Sequence, residues 1–222
     1  MKYIGIDLAW NPLNNYSGIA LIEDDTILYS GVVKGLENII DFINQYPDAK
    51  VGIDAPLKVE NETGNREIEK AFLKDYSSKK LGVYPVSRSL LLKNCELIAG
   101  EEIVSKVSQV LGKTLFEVYP HVTIMNCFHG SVLPYKRKKG RDTAFLKEQL
   151  DILQSYLEKS LQGKFKEDIS SLKGVSLKKH EDKLDAIVCA YTLFHCEKNP
   201  YKTYDGIFKV PLYHLFTSKN GV

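Results

Sequence analysis

Two short stretches of this sequence carry a lone aspartate directly after the dipeptide Gly-Ile. They read "YIGIDLAW" at residues 3–10 and "KVGIDAPL" at 50–57, so Asp7 and Asp54 each follow an apolar run typical of a buried strand. A buried carboxylate is costly unless a hydrogen-bond network, a basic partner or a metal ion satisfies it. Either aspartate alone is well explained as a cap of the turn beyond the strand. The repetition favours a shared chemical role.

Three further acids belong to the same hypothesis. Glu117 lies in the apolar and aromatic stretch 114–122, and Asp182 and Asp185 lie three residues apart at the start of a predicted helix. Helical spacing turns these two aspartates to one face, and a helix N-terminus favours their ionised forms. The simpler interpretation is that Asp182 is the N-cap and Asp185 a first-turn acid. If the helix packs beside the strand ends, all five carboxylates converge.

Such a cluster of acids predicts metal chemistry. Converging carboxylates repel one another unless cations neutralise them, and hard oxygen ligands select Mg²⁺ or Mn²⁺ rather than zinc. Two such ions can activate a water and stabilise the departing oxygen in phosphodiester cleavage. We therefore expect a catalytic metal site formed by the carboxylates of Asp7, Asp54, Glu117, Asp182 and Asp185.

Basic residues that could hold phosphates occur in two places. The loop "YKRKKGR" at 135–141 offers Lys136, Arg137 and Arg141, although a solvated charge run is nearly as good an interpretation. Arg66 and Arg88 could clamp a phosphate or pair with surface acids.

Composition limits the class of protein. The chain has 222 residues with 44% hydrophobic content, which suits one large domain with a sizeable core. The formal net charge is +2, so a nucleic-acid partner has to be argued from local clusters. Four cysteines without a C-x-x-C pair predict reduced, buried thiols. No apolar run reaches transmembrane length and no signal-peptide pattern is present, so we expect a cytoplasmic protein that does not contact a membrane.

Periodicity predicts the order of elements. Three strands joined by short polar connections predict an antiparallel meander, and a helix then leads to a buried parallel strand. A helical insertion, a fifth strand, two helices and a short tail strand follow. The predicted ranges are strands 2–9, 17–23 and 26–34, helix 36–46, strand 50–57, insertion 58–113 with helices 67–76 and 101–111, strand 114–122, helix 142–161, connector 163–181, helix 182–198 and tail 204–216.

Seven segments in this order resemble the domain-of-unknown-function family 429, regarded as predicted nucleases with a ribonuclease H-like fold. They are "GIDLAW", "GIDAPL", "NREIE", "FEVYP", "YKRKKGR", "EDKLDAIVCAY" and "YDGIFKVP". The resemblance implies an α/β fold in a single domain, whose five-stranded mixed sheet has three antiparallel strands and then two parallel to the first, flanked by helices.

The acids are also similar in placement to those of Holliday-junction resolvases. That resemblance implies metal-ligand positions at Asp7, Asp54, Asp182 and Asp185. Glu117 matches the family's own pattern instead, as a ligand or as a partner of Arg66, and the same pattern favours Arg66 among the basic candidates.

The resulting expectation is Mg²⁺- or Mn²⁺-dependent phosphodiester hydrolysis of nucleic acid. One alternative is an ATP-binding phosphotransferase of the actin and sugar-kinase class, although "WNPLNNYSG" at 10–18 lacks the glycine- and threonine-rich phosphate hairpin of that class. Another is a non-catalytic nucleic-acid-binding module whose acids are structural. The sequence leaves open the type of nucleic acid, the protein partners and the oligomeric state.

Overall fold

The computed structural model describes residues 1–93 and 95–212. In this part of the chain an eight-stranded mixed sheet is flanked by seven α-helices. The strands are β1 (Lys2–Asp7), β2 (Tyr16–Glu23), β3 (Thr26–Lys34), β4 (Lys50–Ile53), β5 (Leu115–Glu117), β6 (Gln162–Gly163), β7 (Tyr201–Tyr204) and β8 (Phe208–Pro211). The helices are α1 (Leu36–Asn44), α2 (Glu67–Tyr76), α3 (Arg88–Leu91), α4 (Ala99–Lys106), α5 (Pro120–Ile124), α6 (Thr143–Ser160) and α7 (Gly174–Cys196).

The strand order is β6-β3-β2-β1-β4-β5-β8-β7. The meander β1-β2-β3 is antiparallel, β4 is parallel to β1, and β5 is parallel to β4, as predicted. The sheet also includes β6 beside β3 and the β7-β8 hairpin beside β5, which makes it larger than the five strands expected. Strand β8 matches the predicted tail strand, whose remainder at 213–216 lies outside the described residues.

The sheet has a hydrophobic core on each face. On one face Ile4 and Ile6 of β1 pack with Ile39 and Ile43 of α1. On the other face Tyr3 belongs to the core that includes α6 and α7. Alternate residues of a strand point to opposite faces, so β1 serves both cores. None of the helices in the described ranges is long and apolar enough to cross a membrane.

Glycines in the central strands allow α7 to lie close to the sheet. A Cβ atom added to Gly5 would collide with the carbonyl oxygen of Ala186, and one added to Gly18 would collide with that of Asp182. A Cβ on Gly52 would lie 2.9 Å from the Cys189 carbonyl oxygen. The repeated Gly-Ile-Asp pattern thus has a structural explanation: the glycine faces α7, the isoleucine enters the opposite core, and the aspartate ends the strand.

Two predicted element boundaries were wrong in ways that affect the site. Strand β5 ends at Glu117 instead of 122, because Pro120 occupies the first turn of α5, a position that proline favours. Helix α7 begins at Gly174 and not at Asp182, because the lysine-rich segment before Asp182 contains good helix formers and no breaker. Asp182 and Asp185 therefore lie more than two turns inside the helix, where neither capping nor the N-terminal dipole explains them.

The insertion contains the predicted helix 67–76 as α2. Helix α4 covers 99–106 and ends before the expected position 111, because the backbone turns to an extended conformation at Val107.

Candidate functional site

Asp7 and Asp54 lie side by side where two neighbouring parallel strands end. Gly5 pairs with Gly52 and Ile6 with Ile53, and the Asp54 N–H donates to the Ile6 carbonyl oxygen at 2.9 Å. Both side chains are half-buried. The equivalent positions of the two Gly-Ile-Asp motifs thus meet at one edge of the sheet, which is called the site edge below.

Helix α7 brings two more aspartates to the site edge because it packs directly on β1 and β2. The side chain of Asp185 is completely buried, and its Oδ1 accepts a hydrogen bond from the Tyr135 hydroxyl at 2.7 Å. The Asp182 carboxylate is 2.6 Å from Lys178 Nζ, one helical turn earlier. Asp7, Asp54, Asp182 and Asp185 are called the acid cluster.

Lys136 lies inside this arrangement. Its Nζ forms an ion pair with Asp185 Oδ2 and lies 3.1 Å from Glu181 Oε1. Burial alone lowers the pKa of Lys136, but the charges of Asp185 and Asp7 outweigh burial and hold that pKa well above its usual value. Lys136 was predicted as a phosphate contact, and the structure shows that its ammonium neutralises the acids.

Three of the aspartates, Asp7, Asp54 and Asp182, have raised pKa values. Burial, the largest influence, raises the pKa of Asp7 well above its usual value, and Asp185, Asp54 and Asp182 raise it further while Lys136 opposes the rise. Burial also raises the pKa of Asp54 to about 7, again with Lys136 opposing and Asp185 adding to the rise. Although Lys178 opposes it, burial raises the pKa of Asp182 as well. Carboxylates that repel one another in this way lack sufficient positive charge.

Glu117 is engaged elsewhere. Its two carboxylate oxygens accept from the Arg66 guanidinium at 2.7 and 2.8 Å, and Oε1 also accepts from the Leu57 N–H at 2.8 Å. Glu69 binds the other side of Arg66, and all three charged side chains are buried. Of the two roles left open for Glu117, the structure places it as the partner of Arg66. The charge of Glu117 contributes to the raised pKa of Asp54, so the Arg66–Glu117 network lies next to the acid cluster.

The other basic candidates make their hydrogen bonds and ion pairs outside the acid cluster. Arg88 is 3.0 Å from the Glu101 carboxylate and ties α3 to α4 within the insertion. Arg141 donates to the Lys136 carbonyl oxygen at 2.8 Å, which holds the loop in place. Arg137 is exposed to solvent.

Several site residues were missed or left open by sequence reasoning. Tyr135 is completely buried and binds Asp185, yet beside a run of basic residues it suggested only a surface loop. Lys178 would have been identified by its i, i+4 spacing to Asp182 if the helix had been extended backwards. His121 packs against the Tyr135 ring at 4.9 Å, and burial lowers its pKa to about 4, so it is neutral at physiological pH.

The acid cluster suits a hard divalent cation by the chemistry of its donors, since Mg²⁺ and Mn²⁺ prefer carboxylate oxygens. Throughout residues 1–93 and 95–212, no group of three or more His, Cys, Asp or Glu side chains is arranged so that it could hold a metal ion. The ammonium of Lys136 provides the local positive charge instead. A shared ion at Asp7, Asp54 and Asp185 therefore stays a prediction, and it requires Lys136 to leave Asp185.

Fold and site together define an α/β protein with aspartates from two parallel strands and one helix at a single edge of its sheet. The chain belongs to the family described as protein of unknown function (DUF429), whose sequence model matches residues 5–193. No curated protein and no solved structure gave a significant match.

Proposed function

We propose that this protein is a Mg²⁺- or Mn²⁺-dependent phosphodiesterase that acts on nucleic acid. The observation that carries the proposal is the convergence of Asp7, Asp54 and Asp185 from three separate elements, close enough that the charge of Asp185 raises the pKa of both Asp7 and Asp54. A fold gains nothing from collecting buried like charges, so the arrangement favours a role in binding a cation.

We also propose that the core is ribonuclease H-like. Strands β3-β2-β1-β4-β5 occupy five consecutive positions of the sheet, with the directions that the family resemblance implies. In this interpretation the β7-β8 hairpin and β6 extend the sheet, and 58–113 is an insertion in a single domain. Fold alone does not determine activity, so the proposal depends on the acids.

Asp7, Asp54 and Asp185 would hold the ion. A bound divalent ion would supply a nucleophilic water at neutral pH and neutralise the charge on the departing oxygen. Two side chains position the proposed ligands. The Tyr135 hydroxyl orients Asp185 by its hydrogen bond, and Lys178 holds the carboxylate of Asp182 by an ion pair. Once displaced from Asp185, Lys136 would be free to contact a phosphate oxygen of the substrate. Arg137 and Arg141 extend this positive surface along the loop.

A cleavage panel tests the proposal. Labelled single-stranded and duplex DNA, single-stranded RNA, an RNA–DNA hybrid and a branched DNA are incubated with the protein and Mg²⁺ or Mn²⁺. We expect metal-dependent cleavage of at least one substrate, lost on addition of EDTA and in Asp185→Asn. Asp151→Asn is the matched control, because Asp151 is exposed on α6 and far along the sequence from the acids. Metal-independent cleavage, or equal activity in both variants, contradicts the proposal.

Two alternatives have their own signatures. Metal-dependent ATP binding with phosphoryl transfer would favour the actin and sugar-kinase class. Nucleic-acid binding without cleavage, with a flat calorimetric trace for Mg²⁺ and Mn²⁺, would favour a binding module whose acids are structural.

A further inference from the structure

A pair of exposed aromatic rings lies next to the acid cluster. Trp10, the only tryptophan in the sequence, is 61% exposed, and Tyr84 in the insertion is 77% exposed. Their ring centroids are 6.0 Å apart with an interplanar angle of 87°. Aromatic side chains contribute much of the area buried in protein cores and interfaces. Two neighbouring rings that are exposed to water therefore indicate a ligand-binding or partner-binding surface.

The backbone fixes Trp10 beside Asp7. Trp10 follows that aspartate by three residues, Leu8 between them is buried, and the Ala9 N–H donates to the buried Ser17 hydroxyl at 3.0 Å. Cys95 of the insertion donates to the Trp10 carbonyl oxygen at 3.5 Å. The backbone of Trp10 is therefore anchored next to the site edge.

Tyr84 is held near Asp54 through Tyr119. The Tyr119 hydroxyl donates to the Gly82 carbonyl oxygen at 2.9 Å, two residues before Tyr84. The Val118 N–H donates to the Ile53 carbonyl oxygen at 2.9 Å, so the residue before Tyr119 is hydrogen-bonded to the residue before Asp54. Tyr119 thus lies between the acid cluster and the loop that carries Tyr84, and the aromatic pair bridges the end of β1 and the insertion.

We propose that Trp10 and Tyr84 form a stacking platform for an unpaired nucleobase, so that the substrate class is single-stranded or locally unpaired nucleic acid. This inference rests on the proposed function. In a duplex the faces of the bases are covered by their neighbours, whereas an unpaired base offers its face to an exposed ring. Two perpendicular rings can contact the face of one base and its edge.

Positive charge on the same edge complements a strand that follows the platform. Lys179 Nζ lies 3.9 Å from the centroid of the Tyr16 ring, and Tyr16 is 41% exposed. Tyr16 lies two residues before Gly18, which pairs with Asp7 across β1 and β2. A backbone phosphate beside a stacked base would find this ammonium within the same stretch of surface.

The fluorescence of Trp10 reports binding directly. The full chain is titrated in EDTA, where no cleavage occurs, with an adenine-rich single strand of about ten nucleotides and with a duplex of the same length. We expect the single strand to quench the emission and to bind at least about tenfold more tightly than the duplex. Tyr84→Ala, which retains the reporter, should weaken binding by about 5- to 150-fold. Trp10→Ala should do the same, as measured by anisotropy of a labelled strand.

Tyr29→Ala is the matched control, because Tyr29 is 45% exposed on β3 and should leave affinity unchanged. The inference is overturned if the emission does not respond, if the duplex binds as well as the single strand, or if Tyr84→Ala and Tyr29→Ala behave alike. It is also overturned if, without nucleic acid, the Trp10 emission changes with protein concentration over the same range in which sedimentation shows self-association. That result would assign the two rings to an interface between copies of the chain. Cleavage that is independent of Trp10 and Tyr84 would contradict this inference alone and leave the proposed function standing.

Discussion

The ammonium of Lys136 supplies the positive charge that the acid cluster needs in this arrangement. It forms an ion pair with the completely buried Asp185, and it opposes the elevated pKa values of Asp7 and Asp54. A divalent ion at the same carboxylates would therefore compete with Lys136. We therefore predict that metal binding and release of this lysine are coupled.

Replacing Lys136 by methionine tests this competition. Without its charge the carboxylates lose their counter-ion, so we expect metal-free Lys136→Met to be less stable than the wild type by about 1–3 kcal/mol in denaturant unfolding. Added Mn²⁺ should stabilise the variant more than the wild type, because the ion no longer displaces an ammonium. Lys138→Met, in the exposed part of the same loop, is the control and should change neither quantity. A smaller metal effect in Lys136→Met than in the wild type would contradict the competition.

The elevated pKa of Asp54 predicts a pH-dependent cost. Its folded-state pKa is about 7, whereas an unfolded aspartate titrates near 3.9. Ionised Asp54 therefore lowers the free energy of unfolding. The loss is absent below about pH 3.9, grows between about pH 3.9 and 7, and is complete above pH 7. Metal-free Asp54→Asn should therefore melt above the wild type at pH 8, with a difference that shrinks as the pH falls to 5. Thermal melts of both proteins over this range measure it.

Glu117→Gln is the comparison variant, because it should lower the stability of the fold whereas Asp54→Asn should raise it. Burial raises the pKa of Glu117 as well, but Arg66 and the Leu57 N–H oppose that rise. Removing the charge of Glu117 leaves the buried Arg66 guanidinium short of a partner and should destabilise the fold by about 3–5 kcal/mol. If Asp54→Asn and Glu117→Gln are destabilising alike, the two carboxylates do not differ in the way described here.

Helix α7 and the strands beneath it position the site as one unit. The backbone carbonyls of Ala186 and Asp182 touch Gly5 and Gly18 so closely that no side chain fits between them. Asp185 lies one residue before Ala186, so the approach of the helix also sets the distance between Asp185 and Asp7.

Gly5→Ala should push α7 away from β1. We expect a loss of about 3 kcal/mol in the free energy of unfolding, together with a weaker Mn²⁺-induced stabilisation because the carboxylates are separated. Gly82→Ala is the matched control, since a Cβ there has no neighbour within 4 Å and should be close to neutral. Equal stability of the two variants would show that the close approach of α7 is not needed.

Some of the elements and contacts that build the site were predictable from the sequence, and others were not. The Gly-Ile-Asp repeats correctly placed Asp7 and Asp54 together, because apolar runs and short connections determine which strands are neighbours. The start of α7 was missed because a solvated, lysine-rich segment shows no apolar periodicity even when it is helical. The pairing of Lys136 with Asp185 joins residues 49 positions apart, and no local pattern encodes such a contact.

The whole molecule concentrates its unusual features at one edge of the sheet. The acid cluster, the Arg66–Glu117 network and the exposed Trp10–Tyr84 pair come from β1, β4, β5, α7, the residues that follow β1 and β4, and the insertion. The formal net charge is only +2, so the proposed attraction to nucleic acid has to come from this local surface and not from the charge of the chain. We therefore propose that this edge binds a divalent ion through Asp7 and its neighbours.

The thermal stability of wild type and Asp7→Asn with and without Mn²⁺ tests that claim most directly. Metal-free Asp7→Asn should melt at or above the wild type, because one charge leaves a group of repelling carboxylates. Mn²⁺ at a hundredfold excess over its dissociation constant should stabilise the wild type by about 2.7 kcal/mol and the variant much less. If Asp7→Asn instead melts well below the wild type while Mn²⁺ stabilises both proteins equally, Asp7 is a structural residue and the site does not bind metal through it.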